Sequence, residues 1–223
     1  MFKNLIQFWK GKDFLSRVLE EFKGMLDDSK TMFISVCERL IDNKEVPGLK
    51  SKIYEIDRKV NALQKDIRKK VVEHLSVQPS VDVPTCLLLM SVVKDAERLG
   101  DYCKNLYEVT TLLAQPMDAQ KYKSLFDGID KEIIELFGET TKAFIESDEN
   151  IAAKSWSYKD KINKRCDEIV SVLAKGDLPT NEAVCFTLIA RYYKRLSSHL
   201  INIATSVILP ITDLDYFDEK RKM

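Results

Sequence analysis

Two carboxylates one helical turn apart are the clearest candidates for chemistry in this sequence. Glu97 and Asp101 lie in a stretch whose apolar residues recur every three or four positions, as in a helix that packs against other helices. The apolar positions are Leu89, Val92, Ala96, Leu99, Cys103 and Leu106. Glu97 and Asp101 fall on a neighbouring stripe outside that apolar face. Because two carboxylates at this spacing can share a hard cation, the pair is a candidate metal site.

The competing interpretation of this pair is a solvated polar stripe. In that case Glu97 and Asp101 pair with basic neighbours, which are Arg58, Lys94 and Arg98. Acidic pairs within one helix are common, so residue type and spacing alone favour the polar stripe. The basic neighbours would also compete with a metal ion for the carboxylates.

Composition excludes several classes of function. The 223 residues are 45% hydrophobic and 31% charged, and 35 basic side chains balance 35 acidic ones. Zero net charge argues against a general attraction to nucleic acid. We recognise no signal peptide and no apolar run long enough to span a bilayer. The five cysteines have no paired spacing, which indicates free core thiols in a reducing compartment, so we expect a soluble cytoplasmic protein.

Helical periodicity covers most of the chain and starts again in the middle. The first half predicts three helices, over about residues 15–41, 53–77 and 84–115. The second half predicts three more, over about residues 122–147, 151–175 and 180–209. Proline, glycine and asparagine punctuate the gaps between them, as at Pro47-Gly48 and Gly176. Short connections of this kind make neighbouring helices antiparallel.

The two halves match as an internal repeat. Arg98-Leu99 in the third predicted helix corresponds to Arg195-Leu196 in the sixth, 97 positions later. In the second and fifth helices, Lys59-Val60-Asn61 corresponds to Lys161-Ile162-Asn163. We therefore predict an all-α fold of six antiparallel helices in two stacked three-helix bundles. The predicted divisions are an amphipathic N-terminal segment over residues 1–12, repeats over 13–115 and 118–210, and a charged tail over 211–223.

Two strings on neighbouring predicted helices resemble the PhoU family of phosphate-uptake regulators. They are Asp57-Arg58-Lys59-Val60-Asn61 and Glu97-Arg98-Leu99-Gly100-Asp101, and the resemblance extends over about residues 13–210. It implies a helical regulator without catalysis, which acts beside a membrane phosphate transporter and its sensor kinase. It also implies metal ions at the acidic motifs on the outer surface of each repeat. In the family these are iron or zinc clusters, or magnesium or manganese.

For this chain the resemblance implies one metal site per molecule at most. Its candidate ligands are Asp57, Asn61, Glu97 and Asp101. In the second repeat, the positions aligned with Asp57, Glu97 and Asp101 hold Lys159, Lys194 and Ser198. Protonated ammonium groups cannot ligate a metal, so we expect the second site to be lost. Such a loss indicates a divergent member of the family, which serves a transporter other than the standard phosphate importer.

Two other features of the sequence have competing interpretations. His74 and His199 are the only histidines, and we expect them to pack or to lie on the surface. In the N-terminal segment, Leu5, Ile6, Phe8 and Trp9 form an aromatic-rich amphipathic stretch. It either touches a membrane or a transporter, or packs back on its own bundle, and we favour packing.

Three functions remain open at this point. The first is a PhoU-type regulator that binds a membrane transporter or its sensor kinase, either as a monomer or as a homodimer. The second is a structural helical adaptor of another transporter, without metal. The third, a carboxylate metalloenzyme, is disfavoured because di-iron bundles need Glu-x-x-His pairs and none occurs here. We predict no catalytic residues. A transporter gene beside this one would identify the partner.

Overall fold

A computed structural model of the chain describes residues 13–78 and 82–214, most of which are helical. The helices are α1 Asp13–Ile41, α2 Leu49–Val77, α3 Val83–Leu112, α4 Ala119–Phe126, α5 Ile129–Glu146, α6 Glu149–Tyr158, α7 Arg165–Leu173 and α8 Thr180–Thr205. A π-helical segment, Lys159–Lys164, joins α6 to α7, and a 3-10 turn, Ile211–Asp213, follows α8. These ranges contain no β-strand, so the predicted all-α fold is confirmed. The amphipathic segment predicted over residues 1–12 lies outside the described residues.

Local chemistry explains where several helices begin. The Asp118 side chain accepts hydrogen bonds from the backbone N–H groups of the second and third residues of α4, and Asp148 does the same for α6. Pro84 sits in the first turn of α3, where its missing N–H costs nothing. Gly48 enters α2 with a φ of 75°, a conformation that favours glycine.

Two predicted helices are interrupted in the structure. The fourth divides into α4 and α5 at Asp127 and Gly128, whose φ angles are 42° and 80°. Arg165 stabilises this break, because its Nη2 donates hydrogen bonds of 2.8 Å to the carbonyls of Phe126 and Asp127. The fifth predicted helix divides into α6, the π-helical segment and α7. Both interruptions depend on backbone conformations that apolar periodicity does not reveal.

The helices pack as two groups with a shared interior. α1, α2 and α3 pack on one another, and α5, α6, α7 and α8 form the other group. α3 packs along α8, and α1 packs against α5, which joins the two groups. All five cysteines are buried and free, as the sequence indicates. Across 13–78 and 82–214, no helix is both long and apolar enough to cross a bilayer.

Candidate acidic site of the first repeat

The contact between α2 and α3 brings three of the four predicted ligands together. Asp57 on α2 is buried, and Glu97 and Asp101 on α3 are partly exposed, with 16% and 24% of their side chains accessible. Asn61 lies one turn beyond Asp57 and is half-buried. The apolar face of α3 points into the core as predicted, since Leu99 and Cys103 have no exposed area. The carboxylates therefore stand on the stripe beside the core.

Lys104 is the centre of this acidic cluster. Its Nζ donates hydrogen bonds to Asp57 Oδ2 at 3.0 Å and to Asp101 Oδ1 at 3.2 Å. Arg98 Nη1 donates to the other oxygen of Asp101 at 2.9 Å, and Arg98 Nε lies 3.7 Å from Glu97 Oε2. Two cations thus bridge three carboxylates across two helices. We call Asp57, Glu97, Asp101, Arg98 and Lys104 the acidic cluster.

The charges in the cluster shift the pKa values of two groups. Burial raises the pKa of Glu97, and the neighbouring charge of Asp101 raises it further, while Arg98 acts in the opposite direction. Burial lowers the pKa of Lys104, but its hydrogen bonds to Asp57 and Asp101 outweigh burial, so the net shift is upward. The ammonium group of Lys104 is therefore held in its charged form.

The cluster in this arrangement does not fit a metal ion. A hard cation needs free carboxylate oxygens, yet Lys104 holds Asp57 Oδ2 and Asp101 Oδ1. Within the described ranges, no three His, Cys, Asp or Glu side chains are grouped in a way that would hold a metal ion. Metal binding by Asp57, Asn61, Glu97 and Asp101 stays a prediction, and it requires Lys104 to move away. Sequence reasoning missed Lys104, although its spacing of three residues from Asp101 was a usable signal.

The aligned surface of the second repeat is built from different partners. Lys194 Nζ contacts both carboxylate oxygens of Asp167, at 2.7 and 2.5 Å. The Ser198 hydroxyl donates to the backbone carbonyl of Lys194 at 2.9 Å and accepts from Asn163 Nδ2 at 3.1 Å. Lys159 begins the π-helical segment. The carboxylate beside Lys194, Asp167, is therefore already paired.

Each histidine is paired with a carboxylate that sequence spacing did not reveal. His199 Nδ1 on α8 lies 2.6 Å from Asp95 Oδ1 on α3, and the ring stacks on Tyr102. His74 Nε2 on α2 lies 2.8 Å from Asp82 Oδ2, just before α3. Both pairs join different helices, which is why a search along one helix could not find them. Both pairs connect α3 to another helix, so of the two roles expected for the histidines, packing or surface exposure, the structure shows packing.

Comparison with known proteins identifies the family of this fold. A family model described as the PhoU domain matches residues 16–110 and 129–207, well over half of the chain. This chain belongs to the PhoU family. The resemblance seen in the acidic strings of α2 and α3 is thereby confirmed.

Two curated relatives are about a quarter identical to this chain in sequence. It is 26% identical over 200 residues to the phosphate-specific transport system accessory protein PhoU homolog 1 of Thermotoga maritima, covering 82% of this chain and 83% of the relative. It is 23% identical over 189 residues to the accessory protein PhoU homolog of Aquifex aeolicus, covering 81% and 85%. The named relatives are phosphate transport accessory proteins. Membership of the PhoU family supports the prediction that this chain is not an enzyme.

Solved structures with low sequence identity share the fold. The phosphate transport system regulatory protein PhoU from Streptococcus pneumoniae aligns with a TM-score of 0.75 at 16% identity, covering 87% of this chain and 93% of that chain. PhoU from Pseudomonas aeruginosa aligns with a TM-score of 0.76 at 20% identity, covering 87% and 95%. At these identities the match concerns the fold alone.

Proposed function

We propose that this chain is an accessory regulator of a phosphate transport system. It acts in the cytoplasm by binding a membrane transporter or its sensor kinase, and it performs no catalysis. Membership of the PhoU family across both halves of the chain is the observation that carries this proposal. The names of the relatives, which are phosphate-specific transport accessory proteins, support the same role.

A gene deletion with complementation tests this function. We expect the deletion strain to lose the normal response of phosphate uptake and of a phosphate-starvation reporter to external phosphate. A plasmid copy of the wild-type gene should restore both. Unchanged phosphate responses in the deletion strain would reject the proposal. A defect confined to the uptake of another solute would instead favour an adaptor of a different transporter.

We also propose that the first repeat binds at most one divalent or iron-type cation, in competition with Lys104. The three carboxylates lie beside one another, but the Lys104 ammonium group takes two of their oxygens. A metal ion must therefore displace a cation that is already hydrogen-bonded. In the second repeat, the positions aligned with Glu97 and Asp101 hold Lys194, which pairs with Asp167, and Ser198, which bonds to the backbone.

Equilibrium dialysis with Mn²⁺ and Zn²⁺ on purified protein tests the metal proposal. Lys104→Met should tighten binding, because it frees Asp57 and Asp101, and Glu97→Gln with Asp101→Asn should abolish it. Lys194→Met is the matched control in the second repeat and should change nothing. Two ions per chain, or metal retained by the double variant, would contradict the limit of one site. No metal bound even by Lys104→Met would contradict the competition with Lys104.

A further inference from the structure

One exposed face of the α3–α8 pair carries cations without acidic partners. Lys94 on α3 and Arg191 and Arg195 on α8 are exposed. Among the residues that the structure describes, no carboxylate lies within ion-pair distance of any of these three. The fourth cation of this face, Arg98, is paired with Asp101. These three cations give the face local positive charge, although the chain as a whole has zero net charge.

The contact between the two helices places these cations on the same side. Asp95 meets His199, and the ring of Tyr102 lies 6.0 Å from that of Tyr192, so α3 and α8 run antiparallel. Lys94 lies one position before Asp95, and Arg98 lies three positions after it. Arg191 and Arg195 have the same offsets from Tyr192, the repeat counterpart of Asp95.

Because the repeat relates the two antiparallel helices, these equivalent positions face one side of the pair. Arg98 and Arg195 then lie near the crossing. Lys94 and Arg191 each lie one turn, about 6 Å, further out in opposite directions. We call these four residues the basic band.

The basic band has an apolar residue at corresponding positions of both helices. Leu87 and Val184 each lie eight residues before the contact residues of α3 and α8, and their side chains are 51% and 50% exposed. Since the helices are antiparallel, one aliphatic side chain lies toward each end of the band. The face therefore combines a cationic centre with apolar ends.

We propose that the basic band docks an acidic amphipathic helix of a partner protein. Three of its four cations are arginines, whose planar guanidinium groups bind carboxylates in a bidentate manner. Carboxylates four residues apart on one helix match cations one turn apart, and apolar residues near its ends match Leu87 and Val184. The proposal rests on the proposed function, in which the partner is a component of phosphate transport.

A protein partner fits this face better than a membrane surface does. Helices that bind membranes present bulky apolar and aromatic side chains to the lipid. Here the aromatic side chains, Tyr102 and Tyr192, are engaged in the contact between α3 and α8. Leu87 and Val184 place one exposed aliphatic side chain per helix beside the basic band, which is less than a membrane-binding face presents.

The test compares two charge-reversed variants that have the same net charge. The face variant is Lys94→Glu, Arg191→Glu and Arg195→Glu, which leaves Arg98 and the acidic cluster untouched. The control variant reverses three exposed lysines elsewhere that lack a described ion pair, Lys52→Glu, Lys65→Glu and Lys175→Glu. Circular dichroism should show the same helical signal for both, because all six side chains are exposed.

Binding is measured with a labelled synthetic helix that carries glutamates at four-residue spacing and leucines at both ends. We expect the face variant to bind this peptide about tenfold more weakly than wild type, or weaker still, and the control variant to bind like wild type. The same peptide with glutamine in place of glutamate should bind weakly. No binding by wild type, or equal losses in both variants, would overturn the inference. So would binding to phosphatidylserine vesicles through these cations without binding to the peptide.

Complementation of the deletion strain separates this inference from the proposed function. If the face variant fails to restore the phosphate response and the control variant restores it, docking through the basic band is supported. If both variants restore it, the docking inference is overturned and the regulator function stands. If the deletion strain has a normal phosphate response, the proposed function fails, and the docking inference, which rests on it, fails as well.

Discussion

The acidic cluster and the aligned surface of the second repeat carry different charged residues at corresponding helix positions. In the first repeat, three carboxylates surround Lys104 and Arg98. In the second, Lys194 pairs with Asp167, and Ser198 forms hydrogen bonds with Asn163 and with the backbone. Repeated apolar faces keep the helices packed in both halves, while the polar stripes beside them are free to diverge. The two repeats therefore present different polar surfaces on matching apolar cores.

Backbone conformation also differs between these two surfaces. α2 is regular through Asp57 and Asn61, whereas the aligned stretch of the second repeat, Lys159–Lys164, is π-helical. A π-helical segment changes the direction of the side chains that follow it. Lys159 and Asp57 are aligned in sequence, but Lys159 lies in a π-helical segment and Asp57 in a regular α-helix.

The largest loss of stability is expected in the apolar core, where the two repeats are alike. Leu99 and Leu196 occupy matching positions on α3 and α8, and neither has exposed area. Each substitution to alanine should lower the free energy of unfolding by about 2–5 kcal/mol, measured by urea denaturation. The exposed Leu87→Ala serves as the control, with a change within about 0.5 kcal/mol. A cost confined to one repeat would show that the two cores are not packed equivalently.

A smaller loss of stability should distinguish Lys104 in the first repeat from Lys194 in the second. Lys104→Met leaves Asp57, which is buried, without its cation and should cost about 1–3 kcal/mol of unfolding free energy. Lys194→Met removes a pair whose carboxylate, Asp167, is 54% exposed, and should cost less than about 1 kcal/mol. Urea titrations of both variants at the same salt concentration measure the difference. Equal losses of unfolding free energy would mean that Asp57 depends on its lysine no more than Asp167 does.

The smallest effect concerns the pH dependence that Glu97 contributes. Because its pKa is raised in the fold, the folded state holds the proton more tightly than the unfolded chain does. The stabilisation from this group is complete below the unfolded pKa, near 4.3, and is lost as pH rises through the raised folded value. Glu97→Gln should therefore be more stable than wild type at neutral pH, by less than about 1 kcal/mol, with no gain near pH 4.

Thermal melts of wild type and Glu97→Gln across this pH range provide the measurement. The exposed Glu55→Gln on α2 is the control for the loss of one negative charge. A Glu97→Gln variant that is less stable than wild type at neutral pH would mean that the charge of Glu97 stabilises the acidic cluster.

Much of the fold could be predicted because apolar spacing is a local property. The apolar face of α3, the ends of α1 and α2 and the all-α class follow from residues within a few turns of one another. The breaks at Asp127 and at Lys159–Lys164 could not be predicted in this way. The first is stabilised by Arg165, a residue 38 positions away from Asp127.

For the candidate site, residue types and helical spacing were enough to identify the carboxylates and the helical stripe on which Glu97 and Asp101 lie. Their hydrogen-bond partners depend on how the helices pack. Packing of α2 on α3 places Asp57 and Lys104, 47 positions apart, within hydrogen-bond distance. Packing of α3 on α8 likewise joins Asp95 to His199 across 104 positions. Apolar periodicity determines which face of a helix is buried. A charged side chain pairs with an opposite charge that helix packing brings within about 4 Å, and that charge can be far away in the sequence.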